Sequence, residues 1–215
     1  MINDVTYLMD ESLNDLIQIR NIELEMADQE AWQNKPNEYR REREGTLRSL
    51  ERQASGYISL ARSTVELLKV FTAETKAPFM MPEIVERLAA MLDYNLVTLV
   101  GPRRQDLIVK NAEKYRFEPR ALLSDFLQVY LNLSDQEEFI TAVAMDGRSY
   151  SREVFQSAED IALRKTLKSE AELEVLRRFV DRVEETKANM EAEEDLGPVP
   201  DEFLGVFFLP VLAQH

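Results

Sequence analysis

Asp93 and Asn95 interrupt "MPEIVERLAAMLDYNLVTLV", a run that is otherwise almost wholly apolar along one helical repeat. A carboxylate and an amide two positions apart in such a segment suit a catalytic or binding pair. They equally suit a hydrogen-bonded contact between helices, and that reading is preferred because buried polar groups find partners. A second candidate is the turn "GPRRQDLIVK". There Arg103, Arg104 and Lys110 gather positive charge in a chain whose formal net charge is −14. It could meet an acidic partner, although a solvated loop satisfies the same residues. The many carboxylates are scattered over polar faces and form no acid–base pair. Gly101, Gly147 and Gly197 are isolated, so no phosphate-cradling loop is present. With no cysteine the chain has no thiol nucleophile and no cysteine-ligated zinc, and its single histidine, His215, is expected to fray as the last residue, which removes the key member of a Ser-His-Asp triad or a histidine metal site. No catalytic, cofactor-binding or metal-ligating residue is assigned, and no cofactor is expected.

The same composition bounds the partners. A surface of this sign repels nucleic acid and anionic lipid, so neither is an expected partner. No apolar run approaches the roughly 20 residues of a membrane helix. The start, "MINDVTYLMDESLNDL", has neither the basic region nor the apolar core of a signal peptide. A soluble intracellular protein is expected.

The elements that must position these residues read as helices. Leu, Ala, Glu and Arg are abundant, glycine and proline are few, and apolar positions recur every three or four residues. Val5, Leu8, Met9, Leu13, Leu16, Ile17 and Ile19 define a first helix within residues 3–30. Trp32 reads as a packing anchor, and Pro36 as a break. Leu47, Leu50, Ala54, Tyr57, Ala61, Val65, Leu68 and Phe71 predict an amphipathic helix of about 30 residues. Gly56 inside it calls for a close helix–helix contact. Pro82 and Gly101-Pro102 bracket a helix over 82–100 that should be central. Further helices begin near Pro119, after the "SDQE" capping box at Ser134–Glu137, after "MDGRSYS" with Ser149 or Ser151 as cap, and at the "SEAE" box of Ser169–Glu172. About seven helices and no strand are expected.

Several segments, in order, go further. "MINDVTYLMDESL", "APFMMPEIVERLAAMLDYNLVTLVGPR", "DLIVKNAEKYRFEPR", "AVAMDGRSYS" and "PDEFL" together resemble the core of the ubiquitin chain-elongation factors, the U-box ligases of the ubiquitin-fusion-degradation type. The resemblance covers about Met1 to Leu204. It implies an all-α fold, an elongated antiparallel helical stack similar to armadillo-like repeats, leading into a U-box. It implies a ligase that extends ubiquitin chains on already ubiquitinated substrates without a covalent intermediate. The implied partners are a ubiquitin-charged conjugating enzyme, ubiquitinated substrates and an AAA segregase, in cytoplasm and nucleus.

On this reading the chain divides into a helical core (1–190), an acidic and proline-containing linker (191–204) and an apolar tail (205–215). Family members continue past "PDEFL" with Asp-Pro and the first conjugating-enzyme-binding loop. Here Leu204 is followed by Gly205 and "VFFLPVLAQH". The expectation is a core fragment without its U-box, with Phe207, Phe208 and Leu209 as a loosely held apolar tail. The alternative expectation is a non-catalytic helical interaction scaffold.

Overall fold

The computed structural model describes residues 2–196. Within them the chain forms α1 (Ile2–Ala27), α2 (Gln29–Gln33), α3 (Asn37–Glu74), α4 (Pro82–Val100), α5 (Pro119–Leu133), α6 (Glu137–Met145), α7 (Arg152–Arg164) and α8 (Glu170–Leu196), with short 3-10 turns between α3 and α5. No strand occurs among the described residues. The all-α expectation holds. The remainder of the linker, the 205–215 tail and His215 lie outside the described residues.

Contacts between helices establish the stacking order. Glu25 of α1 accepts from Tyr39 and Arg43 of α3, while Tyr7 meets Tyr57, so α1 and α3 run antiparallel. Arg152–Asp181 and Glu159–Arg177 place α7 and α8 antiparallel as well. Between α3 and α5 the pairs advance together: Arg62–Glu118, Lys69–Asp125 and Lys76–Asp135. These two helices run parallel, as equivalent helices of successive repeats do when each repeat stacks on the last.

The punctuation of α4 is where the sequence placed it. Met81 is extended before Pro82, which occupies the first turn, and Glu83 faces the positive end of the helix dipole. At the other end the Gly101 N–H donates to the Val97 carbonyl, 2.8 Å away. A Cβ at Gly101 would collide with that carbonyl, which is why glycine stands there. The helix packs against α1, α5, α6 and α7, with Leu88, Leu92 and Leu96 wholly buried. Apolar burial on several faces requires such a central position.

Three local expectations are corrected. The "SDQE" box does not form. The Ser134 hydroxyl turns back to the Leu131 carbonyl at 2.9 Å and closes α5, and α6 starts after Gln136 without a side-chain cap. By contrast the "SEAE" box does form: Ser169 donates twice to Glu172 Oε2, and the Glu172 N–H donates to Ser169 Oγ at 3.3 Å. Ser151 stands at the α7 cap position, but its hydroxyl donates to Glu153 Oε2 instead of capping a backbone N–H. Gly56 is exposed on α3, and a Cβ there would touch nothing within 4 Å. No close helix contact accounts for it. Trp32 is buried and tilted against Tyr39, in keeping with an anchor.

Two substitutions test this core in opposite directions. Leu92→Ala is expected to lower unfolding free energy by about 2–5 kcal/mol, because it empties a filled site. Gly56→Ala is expected to raise it by about 1 kcal/mol, the helix-propensity difference at an open position. Urea titrations followed by circular dichroism read both. A neutral Leu92→Ala, or a destabilising Gly56→Ala, would misplace the respective helix face.

Candidate functional site

The polar pair inside α4 separates into two different roles. Asn95 is fully buried, and its side-chain N–H donates to the Met91 carbonyl at 2.8 Å within its own helix. Its Oδ1 has no partner among the described residues. Asp93 reaches outward. Its Oδ1 accepts from the Tyr130 hydroxyl of α5 at 2.5 Å, and its carboxyl lies within hydrogen-bonding reach of Asp146, in the turn between α6 and α7. Asp93 Oδ2 and Asp146 Oδ2 are both buried with no donor facing them. Two ionised carboxylates in that arrangement would repel, whereas one shared proton satisfies both oxygens. Burial first, and the neighbouring Asp146 carboxylate after it, push Asp93 well above the usual carboxylate range, although the Tyr130 bond works the other way. Asp93 is therefore a hydrogen-bonded strut whose burial and acidic neighbour favour its protonated form.

The strut fixes the turn beyond it. Asp146 Oδ1 accepts from the backbone N–H groups of Arg148 and Ser149 at 3.1 and 3.4 Å, which closes the "MDGRSY" turn as an Asx turn. Tyr150 at the end of that turn donates to Glu184 of α8 at 2.6 Å. Burial, then Glu184, raises the Tyr150 hydroxyl far above its ordinary range. A chain of polar contacts thus runs from α4 through the turn to α8. Around it pack Tyr130, Phe139, Phe155 and Phe179, with Tyr130 edge-on to Phe155 at 5.0 Å and Phe139 stacked on Phe179 at 5.7 Å. Sequence reasoning found Asp93 but not Tyr130, Asp146, Tyr150 or Glu184. The available signal was the tyrosines themselves, since a tyrosine at a core position brings a hydroxyl that needs a partner.

The basic turn is not a concentrated site. Its 3-10 turns, Pro102–Leu107 and Ala112–Tyr115, are anchored by buried Leu107, Val109 and Tyr115, while Arg104 and Lys110 are exposed. The Lys110 backbone N–H donates to Glu23 at 3.0 Å, and Tyr115 donates to Glu51 at 3.1 Å. The Arg103 side chain lies outside the described residues. Among the described residues no group of histidine and carboxylate side chains could hold a metal ion, and no helix is long and apolar enough to cross a membrane.

Helices linked by tyrosine–carboxylate bonds, one of them fully buried, make an all-helical module with no reaction centre evident among its described side chains. That is the class the fold defines. Residues 1–184 match the family described as ubiquitin elongating factor core, and the chain belongs to that family. It is 42% identical over 215 residues to the ubiquitin conjugation factor E4 of Schizosaccharomyces pombe, covering all of this chain and 21% of that protein. It is 44% identical over 218 residues to the E4 ubiquitin-protein ligase UFD2 of Saccharomyces cerevisiae, covering all of this chain and 23% of the relative. Against the ubiquitin conjugation factor E4 A of Bos taurus the figure is 33% over 205 residues, or 95% of this chain and 19% of the other. The chain therefore spans about a fifth of the length of these relatives.

Two carboxyl groups give separable tests. Asp93→Asn is expected to keep stability close to that of the parent, because the amide accepts from Tyr130 and donates to Asp146 as the protonated acid does. Asp93→Leu strands both partners and is expected to cost about 1–3 kcal/mol. Equal losses in urea titrations of the two variants would show that no shared proton is present.

Asp15 in α1 is buried, its Oδ2 has no partner, and Glu11 lies one turn away on the same helix. Burial and then Glu11 push it up from 3.8 to about 6. Since the folded value is raised, the stability of the protonated form is fully present below the unfolded value and is lost as pH rises through about 6. Asp15→Asn is expected to raise Tm at about pH 7.5 and to leave it nearly unchanged at about pH 4. The same Tm shift at both values would refute ionisation as the cause.

Proposed function

We propose that this chain is the helical part of a ubiquitin chain-elongation ligase, which extends chains on substrates that already carry ubiquitin. The observation that carries the reading is similarity along the whole of this chain, at 42–44% identity, to about a fifth of proteins named as a ubiquitin conjugation factor and an E4 ubiquitin-protein ligase. In this reading the enzyme is of the U-box type. A small zinc-free domain grips a ubiquitin-charged conjugating enzyme, and the helical core positions it. Transfer passes directly from that enzyme's thioester to a lysine. The chain has no cysteine to form a thioester of its own. Catalysis then consists of holding two reactants in register, which is entropic work suited to a rigid stack of helices. The proposed partners are the charged conjugating enzyme, ubiquitinated substrates and an AAA segregase, and the proposed location is cytoplasm and nucleus.

The test is a reconstituted reaction with ubiquitin, activating enzyme, a panel of conjugating enzymes and a ubiquitinated substrate. The 215 residues alone are expected not to lengthen chains, and the same core continued from Leu204 into a U-box is expected to do so. Chain growth stimulated by the 215 residues alone would place a transfer-promoting surface within the helices. Failure of the extended protein with every conjugating enzyme would leave the non-catalytic scaffold as the better reading.

A further inference from the structure

A groove of about 350 Å³ lies between the start of α4 and the outer face of α6. Its floor is Met80, Val85 and Ala142, and Pro82 forms part of its wall. Met145, the last residue of α6, lines the groove and is 57% exposed, and Met81, next to the lining residue Met80, is 51% exposed, so two large flexible thioethers stand in water at its two ends. Methionine is the apolar residue best able to reshape around an incoming partner, and it recurs on surfaces that accept helices of varied sequence. The rim has the opposite character. Glu86 projects from α4 and Glu137 and Glu138 from the first turn of α6, and Glu83 stands in the first turn of α4 outside the lining. Glu137 is paired with Arg182, and the nearby Lys76 is paired with Asp135. The side chains of Glu83, Glu86 and Glu138 make no ion pair or hydrogen bond among the described residues. The helix dipoles tolerate these carboxylates, and none of the three is ion-paired among the described residues.

We propose that this groove is a docking surface for a basic amphipathic helix, a segment presenting apolar side chains at helical spacing with lysine or arginine beside them. The proposal stands apart from the ubiquitin reading and does not depend on it. The nine residues of α6 make a face about 14 Å long at 1.5 Å per residue, enough for apolar anchors one and two turns apart. Apolar anchors would cover Met80 and Met145, and flanking cations would meet Glu86 and Glu138. Charge complementarity favours this occupant over the chain's own tail. "PDEFLGVFFLPVLAQH" has the apolar residues but carries Asp201 and Glu202 and no lysine or arginine. It also favours a foreign helix over a second copy of this chain, whose net charge is −14.

The probe is a synthetic helical peptide of about four turns with leucines on one face and lysines flanking them, compared with the same peptide carrying glutamates instead of lysines. Binding is read by fluorescence anisotropy, and its place by NMR of 13C-methyl methionine in the full chain. The lysine peptide is expected to bind, to weaken as salt is raised, and to shift the Met80, Met81 and Met145 methyls while leaving Met9 and Met26 in place. The exposed double variant Glu86→Lys, Glu138→Lys is expected to weaken it about tenfold or more and to improve binding of the glutamate peptide. Met145→Lys is expected to weaken both. Circular dichroism and the unshifted Met9 signal confirm that each variant is folded. Four results would overturn the proposal: no binding, equal binding of both peptides to the parent, shifts confined to other methionines, or indifference to charge reversal. Binding seen only after removal of residues 197–215 would assign the groove to the chain's own tail. A dimer in sedimentation that Met145→Lys dissolves would assign it to a second copy. Either result also rejects the foreign helix.

Discussion

The hydroxyl of Tyr130 donates to a carboxyl on α4, and the carboxyl of Asp146 acts on that same group. Phe139, Phe155 and Phe179 close around the same ring. Five helices, α4 to α8, therefore meet at one point that is part polar strut and part aromatic cluster. Burial makes the strut directional. In water these groups would pair with solvent, but in the core each has one acceptable partner, and a displaced helix would leave a polar atom stranded. Apolar packing tolerates small slips between helices, whereas a buried hydrogen bond does not.

The opposite side of the stack uses a different device. Along α3 and α5 the ion pairs Arg62–Glu118 and Lys69–Asp125 recur at matched intervals. The Asn132 amide adds bonds to the Lys69 carbonyl and the Thr72 hydroxyl at 3.0 and 3.1 Å. Surface pairs of this kind contribute little energy individually. Their value here is register: two parallel helices are held at one relative height. Arg177, which contacts Glu159, Glu170 and Glu174, ties α7 to α8 in the same way.

A platform so constrained suits a protein whose proposed contribution to catalysis is position. Where the reacting groups belong to other molecules, the gain comes from restricting how they meet, and it is lost if the support flexes. The methionine-lined groove is the converse feature, a place on a rigid body where the surface itself can adapt. Both depend on α4, which carries Asp93 toward the core and Glu86 toward solvent.

Much was legible in the sequence because it is local. The bounds of α4 follow from Pro82 and from a glycine that only a missing Cβ permits, and the Ser169–Glu172 box closes within four residues. The helical class follows from spacing and propensity, and the family from the order of several segments along nearly the whole chain. Other features were not local. Ser134 had a cap motif in its sequence, yet its hydroxyl serves the preceding helix, because a short connection brings the Leu131 carbonyl within reach first. Gly56 suggested a close contact that the packing does not make. Asp93 was visible as an anomaly, but its partners lie 37 and 53 positions away along the chain, and nothing in their neighbourhoods announces them. Sequence by itself determined which segments are helices and which faces they bury. Tertiary structure decided which polar groups meet in the core and which acidic side chains surround an apolar groove, because hydrogen bonds and desolvation depend on distances that only the packed helices set.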